Sequence, residues 1–380
     1  MSVRFALSEE QEAFRKVVAQ FANDFIAPAA DEMNAAGRFP TEIVRQMGTM
    51  GLFGIPFDEE YGGMGADLLT LCLAIEEIGR VDQSVGITLE AAVGLGAKPL
   101  AEFGTDEQKQ RWLPDLCRGE QLAAFGLTEA GGGSDVRGAT RTKAVADGHD
   151  WVINGSKVFI TNAGTEMTSL VTVIALTGDD EFSAIVVPVG TPGLTVAAPY
   201  RKVGWHASDT RELVLENVRV PRENMLGPRG AGLSQFLATL DDGRIAIAAL
   251  ATGLIQGCVD ECVRHAGERE AFGRPIAKQQ AIAFKIADME VAAQSARLLY
   301  YQAAWRKQEG LPYKRHASAA KLYASEQAVS AAREACQVFG GYGFMTEYRV
   351  GRFYQDAKIL EIGEGTSEVQ RILIARDLGL

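Results

Sequence analysis

The fold class this sequence predicts is α+β and multidomain: an N-terminal all-α domain, a middle antiparallel β-barrel or sandwich domain, and a C-terminal four-helix bundle. Three observations predict it. Apolar residues recur at helical spacing up to about residue 122. Between 123 and 230, β-branched runs alternate with turns and no helix intervenes. From 231 to 380 the pattern is long and helical, and Pro275, Pro312 and the Gly340–Gly343 cluster cut it into segments of roughly 28–38 residues, each able to span a domain. The expected domains are therefore 1–122, 123–230 and 231–380.

The N-terminal elements follow in order. Ser8 caps a helix through Phe14, Val17, Val18, Phe21 and Phe25, which Pro28 and the Gly37–Pro40 region break. Thr41–Met50 forms a second helix, stopped by Gly51, and FDEEYGGMGAD is turn chemistry. Leu68–Gly79 is helical again. Ser84–Leu100 is small and apolar apart from Glu90, the composition of a buried helix. A polar helix spans Thr105–Leu116.

In the middle stretch, TRTKAVADGHDWVINGSKVFIT, SLVTVIAL, FSAIVVPV, GLTVAAP and RELVLENVRV read as strands. Asp147-Gly148 and Asn154-Gly155 predict two-residue hairpin turns. No G-x-G-x-x-G or G-x-x-x-x-G-K-[ST] is present, so a nucleotide would not be held by either fingerprint. Farther on, Ile282, Ile286, Met289, Ala293, Ala296 and Tyr300 recur at spacings of four and three, which makes a bundle seam.

Composition narrows the function. With 380 residues, 47% hydrophobic and 23% charged, the chain is ordinary globular protein. A net charge of −11 argues against a nucleic-acid surface, while local arginines can still hold an anionic ligand. The start, MSVRFALSEEQEAFRKV, has no apolar leader core, and no charge-free apolar run reaches about 18 residues, so no membrane span is expected. Cys72, Cys117, Cys258, Cys262 and Cys336 include no C-x-x-C pair. Cys258 and Cys262 share a helix face but lack histidine partners, so no metal site is expected. A reduced compartment fits: the cytoplasm of a bacterium, or the mitochondrial matrix for a processed eukaryotic chain.

The stretch richest in chemistry is QVFGGYGFMTEYRVGRFYQDAKILEIGEGTSEVQRILIAR, Gln337 to Arg376. Glu364 stands between Gly363 and Gly365 at the entrance of a closing helix. Thr366 or Ser367 can cap that helix, and Ser367 and Gln370 have capping-box spacing. By local features alone such an acid is favoured by the helix dipole and lies in water. The combination of QVFGGYGF, E-G-T-S-E and QRILIAR, however, resembles the C-terminal signature of the acyl-CoA dehydrogenases. In that family the glutamate before G-T abstracts a proton from the substrate.

A second stretch, FGLTEAGGGSDVRGATRT from Phe125 to Thr142, resembles the family's first signature. Glycine runs let backbone amides approach an anion or a flat ring. The resemblance implies that Phe125, Leu127, Thr128, Gly133 and Ser134 line the flavin of FAD, with Thr128 on its pyrimidine end. Ser134 would also contact CoA. Ala130 stands where a proline is usual. In NGSKVFITNAG, Phe159 takes the place of an aromatic, commonly tryptophan, beside the isoalloxazine, and Thr161 lies with it.

Two more stretches carry the resemblance onto ligands. FLATLDDGR places Asp241 and Arg244 against CoA, with Gly365 beside the substrate. EREAFGRPIAKQQ resembles the family's FAD contact from a neighbouring subunit, which implies Arg269, Phe272, Gln279 and Gln280, together with Gln337, Gly340 and Gly341. Arginine suits a pyrophosphate because its fork bonds oxygens in pairs. Thr366 and Glu368 complete the implied FAD contacts. The site then needs at least a dimer, and a tetramer built as a dimer of dimers is expected.

Members of the family hold the base in one of two places, on this loop or on the long helix at the position of Gly243. Here the helix position is glycine and the loop position is Glu364, which selects Glu364. The resemblance implies FAD-dependent α,β-dehydrogenation of an acyl-CoA to a trans-2-enoyl-CoA. Glu364 removes the α-proton and the β-hydrogen leaves as hydride to flavin N5. The Glu364 backbone N–H and a ribityl hydroxyl of FAD hold the thioester oxygen. An electron-transferring flavoprotein is the expected acceptor. The alternatives are a carrier-protein-bound acyl group, or dioxygen as acceptor, as in acyl-CoA oxidases. Gly363 replaces a common tyrosine and implies room for branched, cyclic or aromatic acyl groups. Glu90, in the segment that lines the family's acyl pocket, would meet a polar acyl group, limit the pocket's depth, or stand solvated or ion-paired as most surface acids do.

Overall fold

The computed structural model describes residues 6–380; the first five residues of the expected N-terminal domain, and of the stretch read for a leader, lie outside the described residues. Helices occupy the chain from Glu9 to Cys117, strands dominate from Leu122 to Leu226, and helices return from Gly232 to Asp377.

Helix α1 (Glu9–Phe21) starts at Ser8, whose hydroxyl accepts from Gln11 N–H while the Gln11 side chain returns to the Ser8 N–H. Pro28 does not break the helix as expected. A π turn, Ala22–Ile26, loosens the bonding pattern ahead of it, and Pro28 falls in the first turn of α2 (Ala27–Ala36), where its missing N–H costs nothing. Then come α3 (Thr41–Thr49) and α4 (Leu68–Gly79). The expected Ser84–Leu100 helix divides into α5 (Gln83–Glu90), a π turn (Ala91–Ala97) and α6 (Lys98–Phe103). Helix α7 (Asp106–Cys117) has its own capping box at Thr105.

The middle region is a β domain, as its alternation predicts, but its eight-stranded sheet is mixed. Strands β1 (Leu122–Gly126), β2 (Lys143–Asp147), β3 (Asp150–Thr161), β4 (Thr168–Gly178), β5 (Glu181–Pro188), β6 (Leu194–Val196), β7 (Thr210–Pro221) and β8 (Met225–Leu226) join in it, with the one-turn helix α8 (Val136–Ala139) after β1. The order is β6-β7-β3-β2-β4-β5-β8, with β1 also on β4. Both β1 and β2 run parallel to β4, because the chain crosses over through β3 before β4 enters. Asp147-Gly148 does turn the β2–β3 hairpin. Asn154-Gly155 does not: it is a bulge inside β3, where the register against β7 shifts between Ile153 and Gly155. A Cβ at residue 155 would lie 2.3 Å from Thr142 Oγ1, so the glycine serves close packing.

Strands β4 and β5 are buried on both faces. Val171, Val173, Ile185 and Val187 enter a core inside the sheet, while Leu170, Ile174, Ala184 and Val186 alternate into the larger core shared with the helices. Helix α9 (Gly232–Glu268) runs through the centre of that larger core and packs on α4, α10 (Gln280–Gln308) and α11 (Lys314–Phe339). It is the one helix among the described residues long and apolar enough to cross a membrane; 83% of its apolar window is buried within the protein. Helices α12 (Arg349–Leu360) and α13 (Ser367–Asp377) close the chain against α11.

Candidate active site

Between α12 and α13, residues 361–366 form the loop that carries Glu364. Its backbone has φ 52, a left-handed conformation that costs a non-glycine residue energy, and Gly365 follows at φ 94. Surrounding groups hold the strain. Gly363 N–H donates to Ile359 O (2.8 Å) and Ser367 N–H to Glu361 O (3.0 Å). Lys321 Nζ, on α11, donates to Gly365 O at 2.8 Å, and Gln370 Nε2 donates to the same oxygen at 2.9 Å. The cap of α13 is Thr366, which accepts from Val369 N–H at 3.3 Å. Gln370 is therefore a clasp on the loop and not a partner of Ser367 in a capping box.

The loop aims the Glu364 carboxyl at α9. A Cβ built at Gly243 would stand 1.9 Å from Glu364 Oε2, so only glycine fits opposite this acid. Both carboxyl oxygens are covered, and the one group that hydrogen-bonds to them is the Glu90 carboxyl. Burial raises the carboxyl to about 7, while Glu90, Lys321 and Arg244 pull in the other direction. Lys321 is itself fully buried, and burial lowers its ammonium to about 8. At Gly363 a Cβ would meet only Ile359 O, 3.5 Å away, so space is open there.

Glu90 ends α5 against the same carboxyl. It is 0% exposed and its carboxyl has no hydrogen-bond partner other than Glu364. Burial and the Glu364 charge raise it well above the carboxylate range. A solvated or ion-paired Glu90 is thereby excluded. Beside this centre lies a cavity of about 310 Å³ bordered by Val93, Gly94, Gly243 and Ala246. On its far wall Asp242 gathers Lys98, Lys307 and the Tyr313 hydroxyl (2.8 Å).

Arg244 is not the surface ion pair its type suggests. It is 5% exposed and pairs with Asp241, whose other oxygen meets Lys314 Nζ at 2.8 Å, and Arg244 Nε has no partner. The two residues lie on α9 directly after Leu240 and directly before Ile245, flanking the Gly243 position.

The glycine loop after β1 is pinned from beneath. Lys157, 0% exposed on β3, donates to Glu129 Oε1 at 2.7 Å, and Glu129 also accepts from Arg141 N–H (2.7 Å) and Thr142 N–H (3.0 Å). Val158 N–H reaches Thr128 O at 2.9 Å. This pair escaped sequence reasoning; the signal was a lysine between the apolar positions of a strand. Above it, Gly133 and Ser134 are exposed, and Leu127, Thr128 and Thr161 are half-buried. Phe159 has φ 62 and a ring 65% exposed, 5.4 Å from Tyr200. The Phe125 ring instead stacks on Phe236 at 4.1 Å in the core.

A second groove, of about 650 Å³, brings together Arg269, Phe272, Gln279, Gly340 and Gly341 with His265 and Tyr342. Gln280 and Gln337 are exposed near it but do not line it. Phe272 is 95% exposed. His265 and Gly243 lie on one helix, 22 residues apart, which is roughly 33 Å. The groove and the Glu364 centre are thus separate places on one chain. Thr366 is the α13 cap and Glu368 is exposed in its first turn.

These features fit FAD. Gly131 and Gly133 stand exposed in the loop, Phe159 presents a bare ring in a strained backbone, and a Cβ at Gly340 or Gly341 would meet nothing within 4 Å.

Family models described as the acyl-CoA dehydrogenase N-terminal, middle and C-terminal domains match residues 8–120, 124–218 and 230–379. A Bacillus subtilis (strain 168) protein named probable acyl-CoA dehydrogenase YngJ is 49% identical over 381 residues, covering 99% of this chain and 100% of its own. The butyryl-CoA dehydrogenase structure from Megasphaera elsdenii superposes with a TM-score of 0.96 at 40% identity, over 100% of both chains. A chain from a study of the electron transferring flavoprotein of Acidaminococcus fermentans superposes equally well, 0.96 at 42% identity, over 99% of each.

Proposed function

This chain belongs to the acyl-CoA dehydrogenase family, and from that premise we propose that Glu364 is the base that removes the α-proton of an acyl-CoA thioester. The enzyme is an FAD-dependent acyl-CoA dehydrogenase. One observation carries the choice of base: a covered carboxyl whose only hydrogen-bond partner is a second acid, on a strained loop, opposite a glycine that leaves it room.

Each protein group then has a task. The Glu364 carboxylate takes the α-proton, and burial brings its proton affinity near neutral pH, where a base works best. The loop from Leu127 to Ser134, with Phe159 and Thr161, would hold FAD, which when bound would supply at N5 the acceptor for the β-hydride, the product being a trans-2-enoyl-CoA. The Glu364 backbone N–H donates to the thioester oxygen as enolate charge develops. Asp241, Arg244, Ser134 and Gly365 hold the substrate, and Arg244 adds positive charge beside the site. Lys321 and Gln370 keep the loop in its strained form.

The acyl group is short, as in the butyryl-CoA dehydrogenase with which the chain shares its fold, and the open space at Gly363 admits a branch or ring. Arg269, Phe272, Gln279, Gln280, Gln337, Gly340 and Gly341 serve FAD bound to a second copy, with Thr366 and Glu368 adding contacts. The roughly 33 Å of α9 between groove and Glu364 supports that reading, as does the bare Phe272 ring. Electrons leave to an electron-transferring flavoprotein, a reading supported by the Acidaminococcus likeness.

The test is anaerobic titration of the yellow enzyme with straight, branched and aromatic acyl-CoAs. Glu364→Gln is expected to keep its flavin and fail to bleach with all of them. Normal bleaching by that variant removes Glu364 as the base. Reoxidation by dioxygen as fast as by a flavoprotein acceptor would instead mark an oxidase.

A further inference from the structure

We propose that Glu90 is a specificity residue that selects acyl chains bearing a hydrogen-bond donor, a hydroxyl or an amine, just beyond the reacting carbons. The inference rests on Glu364 being the base, because it takes the acyl chain to lie along that carboxyl. Glu90 is 0% exposed, and apart from the hydrogen bond it shares with the Glu364 carboxyl its oxygens have no partner, which is sparse provision for a buried acid. Lys321 and Arg244 act on Glu364, but no cation among the described residues acts on Glu90; Glu364 is its only charged neighbour. Its carboxyl lies over Gly94, where a Cβ would stand 2.8 Å from Glu90 Oε1, so the glycine leaves the acid its place.

The surroundings are built to leave that acid alone. Glu90 is the last residue of α5, and the π turn that follows presents Ala91, Ala92, Gly94, Gly96 and Ala97, none with a polar side chain. An apolar acyl chain offers Glu90 no partner beyond the Glu364 carboxyl, which the reaction itself calls on. A donor on the chain meets it. A hydroxyl can bond the neutral acid as donor and acceptor together, and an ammonium would pair with the ionised form.

The experiment uses FAD-loaded enzyme and three acyl-CoAs of equal size: valeryl-CoA, freshly prepared 4-hydroxybutyryl-CoA and freshly prepared 4-aminobutyryl-CoA. Wild-type kcat/KM is expected to favour one donor-bearing substrate over valeryl-CoA by about tenfold or more. Glu90→Leu should bring that ratio to one or below. Glu90→Gln should keep a preference for the hydroxyl and lose one for the amine, so the two donors are told apart. Binding is read separately by the flavin spectral shift in Glu364→Gln and in the Glu364→Gln/Glu90→Leu double variant, where no turnover occurs. A wild-type ratio at or below one, or a ratio unchanged in Glu90→Leu, overturns the proposal. If valeryl-CoA bleaches the wild-type flavin while the donors gain nothing, only this inference fails. Bleaching of Glu364→Gln by any of the three overturns the assignment of the base as well.

Discussion

Glu364 combines a left-handed backbone with a buried carboxyl that meets only a second acid, and both conditions raise the energy of the free enzyme at neutral pH. The sign of the pH effect follows from a folded value raised from 4.5 to about 7. Below about 7 the base is protonated and idle, so the rate of flavin reduction should climb with pH through this range and then level off, as stopped-flow absorbance would record. Stability runs the other way. The protonated acid's contribution is complete below 4.5 and is lost as pH rises through about 7. Glu364→Gln should therefore gain more in Tm at pH 8 than at pH 5.5, and equal gains would contradict the burial account. Gly243 offers a purely steric test. Alanine there places Cβ 1.9 Å from Oε2, so the carboxyl must move by more than 1 Å. A fall in kcat of about a hundredfold with flavin content retained is expected.

Strand β3 is the element on which the expected flavin contacts depend, because it supplies Lys157 below the glycine loop and Phe159 above it. Lys157 and Glu129 are both buried, and burial lowers the Lys157 ammonium to about 8 although the pair favours its charge. For Glu129, burial works to raise the carboxyl, but Lys157, Thr142 and the Arg141 N–H hold it below its usual value. Lys157→Met strands that carboxylate. The cost should be about 3–5 kcal/mol in denaturant unfolding. The variant should also purify with less flavin, measured by visible absorbance per protein, since Thr128 and Ser134 ride on the same loop. A variant that is destabilised yet fully yellow would separate the pair from the cofactor site.

Across the whole molecule, α9 ties the parts together: Gly243 and Arg244 near one end meet the Glu364 loop, and His265 near the other lines the second groove. The groove's Phe272, 95% exposed, is costly to leave in water. Phe272→Asp should shift the enzyme to smaller species in analytical ultracentrifugation and release FAD in the same preparation. A variant that stays assembled and yellow would detach the groove from the flavin of a second copy.

The sequence by itself determined the order of helices, strands and helices, the two signatures, and which of positions 364 and 243 carries an acid. Periodicity, turn residues and a single glycine are local facts, and local facts survive in one dimension. It misread Pro28 and Asn154-Gly155, where a π turn and a contact with Thr142 outweighed ordinary breaker chemistry. Only the tertiary structure decided that Glu90 is neither solvated nor ion-paired, that Arg244 is buried, that Gln370 clasps the loop, and that Lys157 reaches Glu129. Each of those depends on which groups from distant parts of the chain remove a side chain from water, and burial of that kind is set by packing and leaves no mark in residue spacing.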